Sequence, residues 1–325
     1  MLLSGPCCAS VAYAWYSRRM IFRHAYQGGV WVDLEQPSGD EIQQIAQEFS
    51  ISERLERELL SPTPVPLVTA DEGMALLVFH FPTQGMKDGE TKSQEIDFIV
   101  GKDLILTVRY EIVAPLHHLK KLLEAQQLIA GKTPITTDVL LEVLFAHLYT
   151  SMRDHMNHIA GNLASVEKEM FDGHERTTVR SISNISREFL HVEAALANQE
   201  ESLEHFLDAL AQYGFFGPSF PERSLRILAE RSHVARTVKT HRAIATELRE
   251  TNAALLEARQ NEIMKTLTVI TFIFLPLELI TFVFGMHVLG TPLEQNPNAF
   301  WIISGSMLTI GLIITLFLVR KRWIF

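Results

Sequence analysis

The 325-residue chain has almost no cysteine and no excess of positive charge. Its two cysteines, Cys7 and Cys8, are adjacent and lie in its first stretch, so no disulfide framework staples the fold. Lysine and arginine total 29 against 38 aspartates and glutamates, a formal charge of -9. That balance lacks the basic face that nucleic-acid binding requires. A P-loop, a GxGxxG turn and a nucleophile elbow are missing as well, which leaves an enzyme without support. The last scarcity is local. After Gln260 the chain holds four basic residues (Lys265, Arg320, Lys321, Arg322) and three acidic ones (Glu262, Glu278, Glu294), so the acidity belongs to the residues before them.

Two long apolar runs fill that charge-poor stretch, residues 264–286 (MKTLTVITFIFLPLELITFVFGM) and 299–319 (AFWIISGSMLTIGLIITLFLV). The ~30 Å hydrocarbon core needs ~20 residues of helix, and each run is long enough, whereas buried helices of soluble proteins carry apolar runs of about 10–14. Arg249, Arg259 and Lys265 precede the first span, and Arg320, Lys321 and Arg322 follow the second. The connection 287–298 has no Lys or Arg, so both termini are expected in the cytoplasm and this loop outside. Trp301 and Trp323 stand where interfacial aromatics belong.

Residues 1–19 are mildly apolar, but no basic region precedes them, and they read as a disordered extension with Met20 as an alternative initiator. Residues 20–133 read as an α/β domain. Its strands are 30–34, 74–81, 94–100 and 104–108, after a turn at Gly28-Gly29. Pro37-Ser38-Gly39-Asp40 opens a helix ending near Phe49, Ser52 caps a second through Leu60, and Glu41 and Glu53 suit the first turns. Pro62, Pro64 and Pro66 interrupt the pattern, and a helix over 115–130 ends at Gly131. From 134 to 220 two acidic antiparallel helices follow, over 136–171 and 175–213.

A third helix starts after Pro221 and meets no breaker from Glu222 to Leu275, so a stalk over 221–263 should enter the first span unbroken. At 1.5 Å per residue it reaches roughly 100 Å, and it must pack on copies of itself or on the two preceding helices. Glu188, Glu193, Glu200, Glu201, Glu204 and Asp208 form either a solvated face or a surface that concentrates cations. His155 with His158 lacks a thiolate or a second carboxylate, and Glu188 with His191 or Glu201 with His205 is no stronger as a zinc site.

Helical steps of three and four along the first span join Asn261, Met264, Thr268, Thr271, Leu275, Glu278, Phe282 and Gly285. The opposite positions, Val269, Ile270, Phe272, Ile273, Leu277, Leu279, Ile280 and Phe284, suit lipid or the second span. A polar stripe of this kind reads as a pore lining or an interhelical contact. Glu278 is its strongest feature, because a mid-membrane carboxylate costs ~2.5–3.5 kcal/mol on insertion scales. The only other charged side chain within either span is Lys265 at the inner boundary. With no cationic partner nearby, Glu278 is either protonated or turned toward a cation path, and in a symmetric oligomer it becomes a carboxylate ring. Pro276 removes one helical hydrogen bond and frees the carbonyl of Phe272.

Gln260-Asn261-Glu262, Met264-Lys265, Leu267-Thr268, Phe274-Leu275-Pro276-Leu277, Phe284-Gly285-Met286-His287 and Thr291-Pro292-Leu293 resemble the CorA family of divalent metal ion transporters, within the wider CorA/ZntB-like superfamily. The resemblance implies an α/β cytoplasmic domain, long helices and two C-terminal transmembrane helices in a funnel-shaped homopentamer of the inner membrane. It needs no cofactor, and its partners are its own copies, the bilayer and the transported cation. Asn261, Met264, Thr271, Leu275 and Glu278 would face the pore axis, with Met264 and Leu275 as hydrophobic gates. Gly285, Met286 and His287 would form the outer mouth, which receives Mg²⁺ still hydrated, as suits an ion that sheds water reluctantly.

Three departures shift that expectation. His287 stands where the family has the Asn of its GMN motif, and imidazole favours Zn²⁺, Co²⁺ or Ni²⁺ and titrates near neutrality. Arg223-Ser224-Leu225-Arg226 occupies the stalk stretch where magnesium-gated members carry an acidic residue. Glu278 replaces a small polar residue, so His287 and Glu278 are the candidate metal contacts and proton coupling enters as an expectation. Mg²⁺ remains the default cargo, and the alternative is a CorA-like membrane sensor or tether that does not transport.

Overall fold

The computed structural model describes residues 20–84, 91–111, 113–129, 135–286 and 297–321. The expectations for 1–19 with Cys7 and Cys8, for His287 and most of its loop, and for Arg322 and Trp323 lie outside them. The chain forms two compact units, one of residues 1–169 and 180–248, the other of 170–179 and 249–325.

The first unit is built on a six-stranded sheet in the order β1-β2-β6-β5-β4-β3, with β1 Met20–Tyr26, β2 Gly29–Glu35, β3 Leu67–Asp71, β4 Met74–Gln84, β5 Thr91–Val100 and β6 Leu104–Arg109. Only β2 and β6 run parallel among these pairs; the others are antiparallel. All six residues of β6 are buried, since helices cover both of its faces and alternation of polar and apolar residues disappears. One face carries Val32, Leu34, Leu76, Val78, Ile99, Leu106 and Val108 against α1 Gly39–Glu48 and α2 Glu53–Leu59. On the other, Phe79 and Phe98 meet Phe145 of α4 Thr137–Phe171 at ring-centroid distances of 5.7 and 5.1 Å.

The sequence reading missed β1 and β3. β1 is an edge strand whose Phe22 and His24 turn inward while Ile21, Arg23 and Ala25 are exposed, and its turn is Gln27-Gly28. Gly29 follows with φ 156°, and a Cβ there would lie 2.0 Å from the Asp103 carbonyl oxygen. α1 opens as expected: Ser38 Oγ accepts from the Glu41 N–H while the Glu41 carboxylate accepts from the Ser38 N–H, a capping box. Ser52 behaves otherwise. Its hydroxyl makes no cap bond and donates instead to Asp71 on β3, 2.8 Å away.

A buried ion cluster pins β2 to β6. Trp31 Nε1 donates to Thr107 Oγ1 at 3.0 Å, and that hydroxyl donates to Asp33 Oδ1 at 2.6 Å. Arg109 Nη2 donates to Asp33 at 3.0 Å and to Glu35 at 2.6 Å, and Lys120 of α3 Ala114–Ile129 closes on Asp33 from above. Asp33 and Arg109 are fully buried.

The long helices are α4, α5 Glu175–Tyr213 and α6 Phe220–Gly285, the last of 66 residues. α6 begins one residue before Pro221 rather than after it, because proline's missing N–H costs nothing in the first turn. Within the first unit Arg223 pairs with Asp138 and Glu142 at 2.7 and 2.8 Å, and Arg226 with Glu142 and Glu222 at 2.6 and 2.8 Å. The Arg226 guanidinium holds the Glu142 carboxyl below the usual carboxylate range. On α5, Glu193 and Glu200 are taken up by Arg242 and Arg231 of α6, while Glu201, Glu204 and Asp208 stay exposed. No group of three or more metal-ligating side chains forms among the described residues, including His155 and His158.

Replacing Asp33 by Ala leaves Arg109 and Lys120 buried without their shared counter-charge. The change is expected to cost about 3–5 kcal/mol, read as a lowered unfolding temperature of the purified chain.

Candidate functional site

The second unit holds the membrane candidates, residues of α6 beyond 249 and α7 Ala299–Arg320, both apolar over windows long enough to span a bilayer. α7 packs on one side of α6. Val269 is buried there, and Ile273, Leu277, Ile280 and Phe284 are half-buried. Gly311 permits this approach, since a Cβ at that position would already stand 3.7 Å from the Leu277 side chain. Thr281 Oγ1 lies 3.9 Å from Met307 Sδ. Ile270, Phe272 and Leu279, expected against lipid or α7, are exposed.

The polar stripe occupies another side of the same helix. Asn261, Met264, Thr268, Thr271, Leu275, Glu278, Phe282 and Gly285 are all exposed in the single chain, with Met264 at 53%, Leu275 at 61% and Phe282 at 64%. Thr268, Thr271 and Leu275 line, with Phe272, Pro276 and Ile314, an open apolar recess of about 660 Å³. α6 continues through Pro276, ending at Gly285, and the Met286 N–H still donates to the Phe282 carbonyl at 3.1 Å. Among the described residues none forms an ion pair with Glu278.

The threonines are held in one sense. Thr268 Oγ1 donates to the Met264 carbonyl at 2.8 Å and Thr271 Oγ1 to the Leu267 carbonyl at 2.9 Å. Their hydroxyl protons are spent on the helix's own backbone, so the lone pairs are what the stripe offers outward.

A clamp that sequence reasoning missed secures the helix just before the stripe. Arg259 Nη1 donates to the Glu175 carboxylate at 2.7 and 2.9 Å and to the Gly173 carbonyl at 3.3 Å. Asn252 Nδ2 donates to the Glu175 carbonyl at 3.1 Å, and Thr178 Oγ1 lies 3.4 Å from Asn252 Oδ1. The N–H of Glu175 itself lowers its carboxyl's pKa, and Arg259 adds to that effect. Asn252 is only 3% exposed, and nothing in the polar sequence around it signals that burial.

The chain thus combines two candidate spans at its C-terminal end with long helices and a doubly covered α/β sheet. The profile of the family described as CorA-like Mg2+ transporter protein matches residues 26–322. The chain belongs to that family and is a divalent metal ion transporter. It is similar to the cobalt/magnesium transport protein CorA of Methanocaldococcus jannaschii, 21% identical over 299 residues covering 91% of each chain. It is also similar to that of Thermotoga maritima, 21% identical over 294 residues, 88% of this chain and 80% of that one. The complete structure of the CorA magnesium transporter from M. jannaschii superposes with a TM-score of 0.77 at 20% identity, over 93% of this chain and 94% of that one.

Single cysteines in a Cys7, Cys8-free background should separate the faces of α6. Thr271→Cys and Glu278→Cys are expected to react with a membrane-impermeant thiol reagent at least about tenfold faster than Val269→Cys or Leu277→Cys. Equal rates at all four positions would deny the stripe access to water.

Proposed function

We propose that the chain forms a homopentamer in the inner membrane, both termini cytoplasmic, whose five α6 helices line one axial pore for divalent cations. The observation that carries this reading is the face of α6 from Asn261 to Gly285, which α7 leaves uncovered although it holds the only carboxylate of either span. A buried carboxylate facing lipid is costly, whereas a ring of five facing a common axis meets the cation that its charge attracts.

In this reading a hydrated cation is captured at the outer mouth, formed by Gly285, Met286 and His287. It passes the Glu278 ring, then Thr271, and leaves past Asn261. Leu275 and Met264 gate the path by closing a dry constriction, which stalk movement opens. The Thr271 oxygen, its proton already donated inward, accepts from the water shell of the ion rather than stripping it. Mg²⁺ is the family's cargo by description, and imidazoles at the mouth favour Zn²⁺, Co²⁺ or Ni²⁺ beside it, with transport coupled to protons. Arg223 and Arg226 are engaged by Asp138, Glu142 and Glu222, which supports a gate that needs no Mg²⁺ bridge at that stretch of the stalk.

Uptake into proteoliposomes, compared across Mg²⁺, Zn²⁺, Co²⁺ and Ni²⁺ with and without a proton gradient, tests the proposal. Glu278→Ala should slow uptake at least about tenfold, which is about 1.4 kcal/mol of barrier, and His287→Asn should move preference toward Mg²⁺. Unchanged uptake in both variants would remove the assigned roles. A silent wild type restored by His287→Asn would identify a sensor or tether instead.

A further inference from the structure

In the soluble unit the sheet carries a polar island that transport does not use. Strand alternation puts Glu95 and Asp97 of β5 on the face covered by α1 and α2, beside Ile99 of that core. Glu95 is paired across the strands with His80 of β4, whose Nε2 lies 3.9 Å from Glu95 Oε2, and Asp97 sits between Val78 and Val108. Asp97 is fully buried. Above them runs 60–66, in which Pro62, Pro64 and Pro66 have no N–H, and Thr63 N–H donates to both Glu95 oxygens at 2.8 Å. A recess of about 340 Å³ opens here, walled by Pro62, Pro64, His80, Glu95, Tyr110 and Glu111.

The hydrogen bonds of this island are one proton short. The Tyr110 hydroxyl stands 2.9 Å from the Leu59 carbonyl oxygen and 3.1 Å from Asp97 Oδ2, with a single proton for two acceptors. Asp97 Oδ1 is buried with no donor among the described residues. Glu95 is committed as an acceptor to Thr63. A proton on Asp97 resolves all three, since the carboxyl then donates within the island while Tyr110 donates to Leu59.

We propose that the Glu95–Asp97 pair is a proton-binding site of the soluble unit, loaded at neutral pH, whose unloading on mild alkalinisation releases the 60–66 segment from the sheet. Two carboxylates side by side, Asp97 fully buried and Glu95 half-buried at the recess, repel each other, and the relief available is for water to enter through the recess as Thr63 lets go. The charges of Glu95 on its own strand and Glu58 from α2 favour a proton on Asp97. Against them, the Tyr110 hydroxyl from β6 favours the carboxylate, and His80 from β4 does the same for Glu95; no Lys or Arg stands in the wall of the recess. Burial first, and the Glu95 charge second, push the Asp97 carboxyl up to about 8. Burial raises Glu95 as well. The folded chain therefore holds this proton more tightly than the unfolded one. The stability it contributes is complete below the ordinary carboxylate range, declines as pH rises, and is gone above about 8. Gln199 of α5 donates to the His80 carbonyl, so the island is fastened to the long helices too.

Hydrogen exchange of the full-length chain in detergent, corrected for base catalysis, reads the Thr63 amide directly and requires no flux, so its outcome is separate from that of the transport assays. Protection at Thr63 is expected to fall about tenfold between pH 7 and 9 in the wild type, as one pH unit above the midpoint implies. It should stay level in Asp97→Asn, whose amide mimics the protonated acid. A flat wild type, or the same fall in Asp97→Asn, overturns the proposal. Should Asp97→Asn not fold, infrared spectroscopy of the Glu278→Ala chain replaces it: the carboxylic-acid band should vanish near pH 8, and absence of that band at neutral pH also overturns the proposal.

Discussion

A peptide backbone in hydrocarbon has no water to bind, so each of its N–H and C=O groups must find a partner within the protein. α6 answers that constraint by staying one continuous helix from Phe220 to Gly285, giving up only the bond that Pro276 withdraws from the Phe272 carbonyl. Pro276 withdraws a donor inside the apolar stretch and the helix still continues, because the turns on either side keep their bonds. The threonines conform too, returning their hydroxyl protons to the carbonyl one turn back rather than leaving them for lipid. Sequence is then free to differ from side to side. One side is shaped for α7 by Leu277 and Gly311, and another carries Asn261, Thr271 and Glu278.

In the first unit the burial of charge around Asp33 is matched by partners. Asp33 receives Thr107, Arg109 and Lys120, and Trp31 completes the chain through Thr107. The cluster sits where β2 and β6 run parallel, the one pairing of the sheet that no short turn could set. The Glu95–Asp97 island lies on the opposite face, and no Lys or Arg lines its recess. A charge surplus in one place and a balanced cluster in the other give the two faces of one sheet different responses to protons.

How much of this was legible depended on the range over which each feature is encoded. Helix α5 was readable to the residue, from Glu175 to Tyr213, since Gly173 and Gly214 bracket it. The apolar runs and the 3.6-residue stripe were readable for the same reason: period and composition are local. β1 and β3 were not, because an edge strand of five to seven residues beside a turn carries little period. The ion clusters were invisible in principle. Asp33 and Arg109 are 76 residues apart and Arg259 and Glu175 are 84 apart, and each alone reads as an ordinary surface charge. Ser52 had the right residue type for a cap, yet Asp71 won its hydroxyl once β3 was in place.

The inward-turned hydroxyls of Thr268 and Thr271 have an effect on sign. Water around a cation points its oxygens at the ion and its hydrogens outward; around an anion the arrangement reverses. At Thr268 and Thr271, where the hydroxyl protons are already engaged by the helix's own carbonyls, the face offers acceptors alone. It fits the outward hydrogens of a cation's shell and meets the outward oxygens of an anion's with lone pair against lone pair. In the proposed pore, discrimination against chloride would thus begin in neutral side chains, before any carboxylate adds its charge.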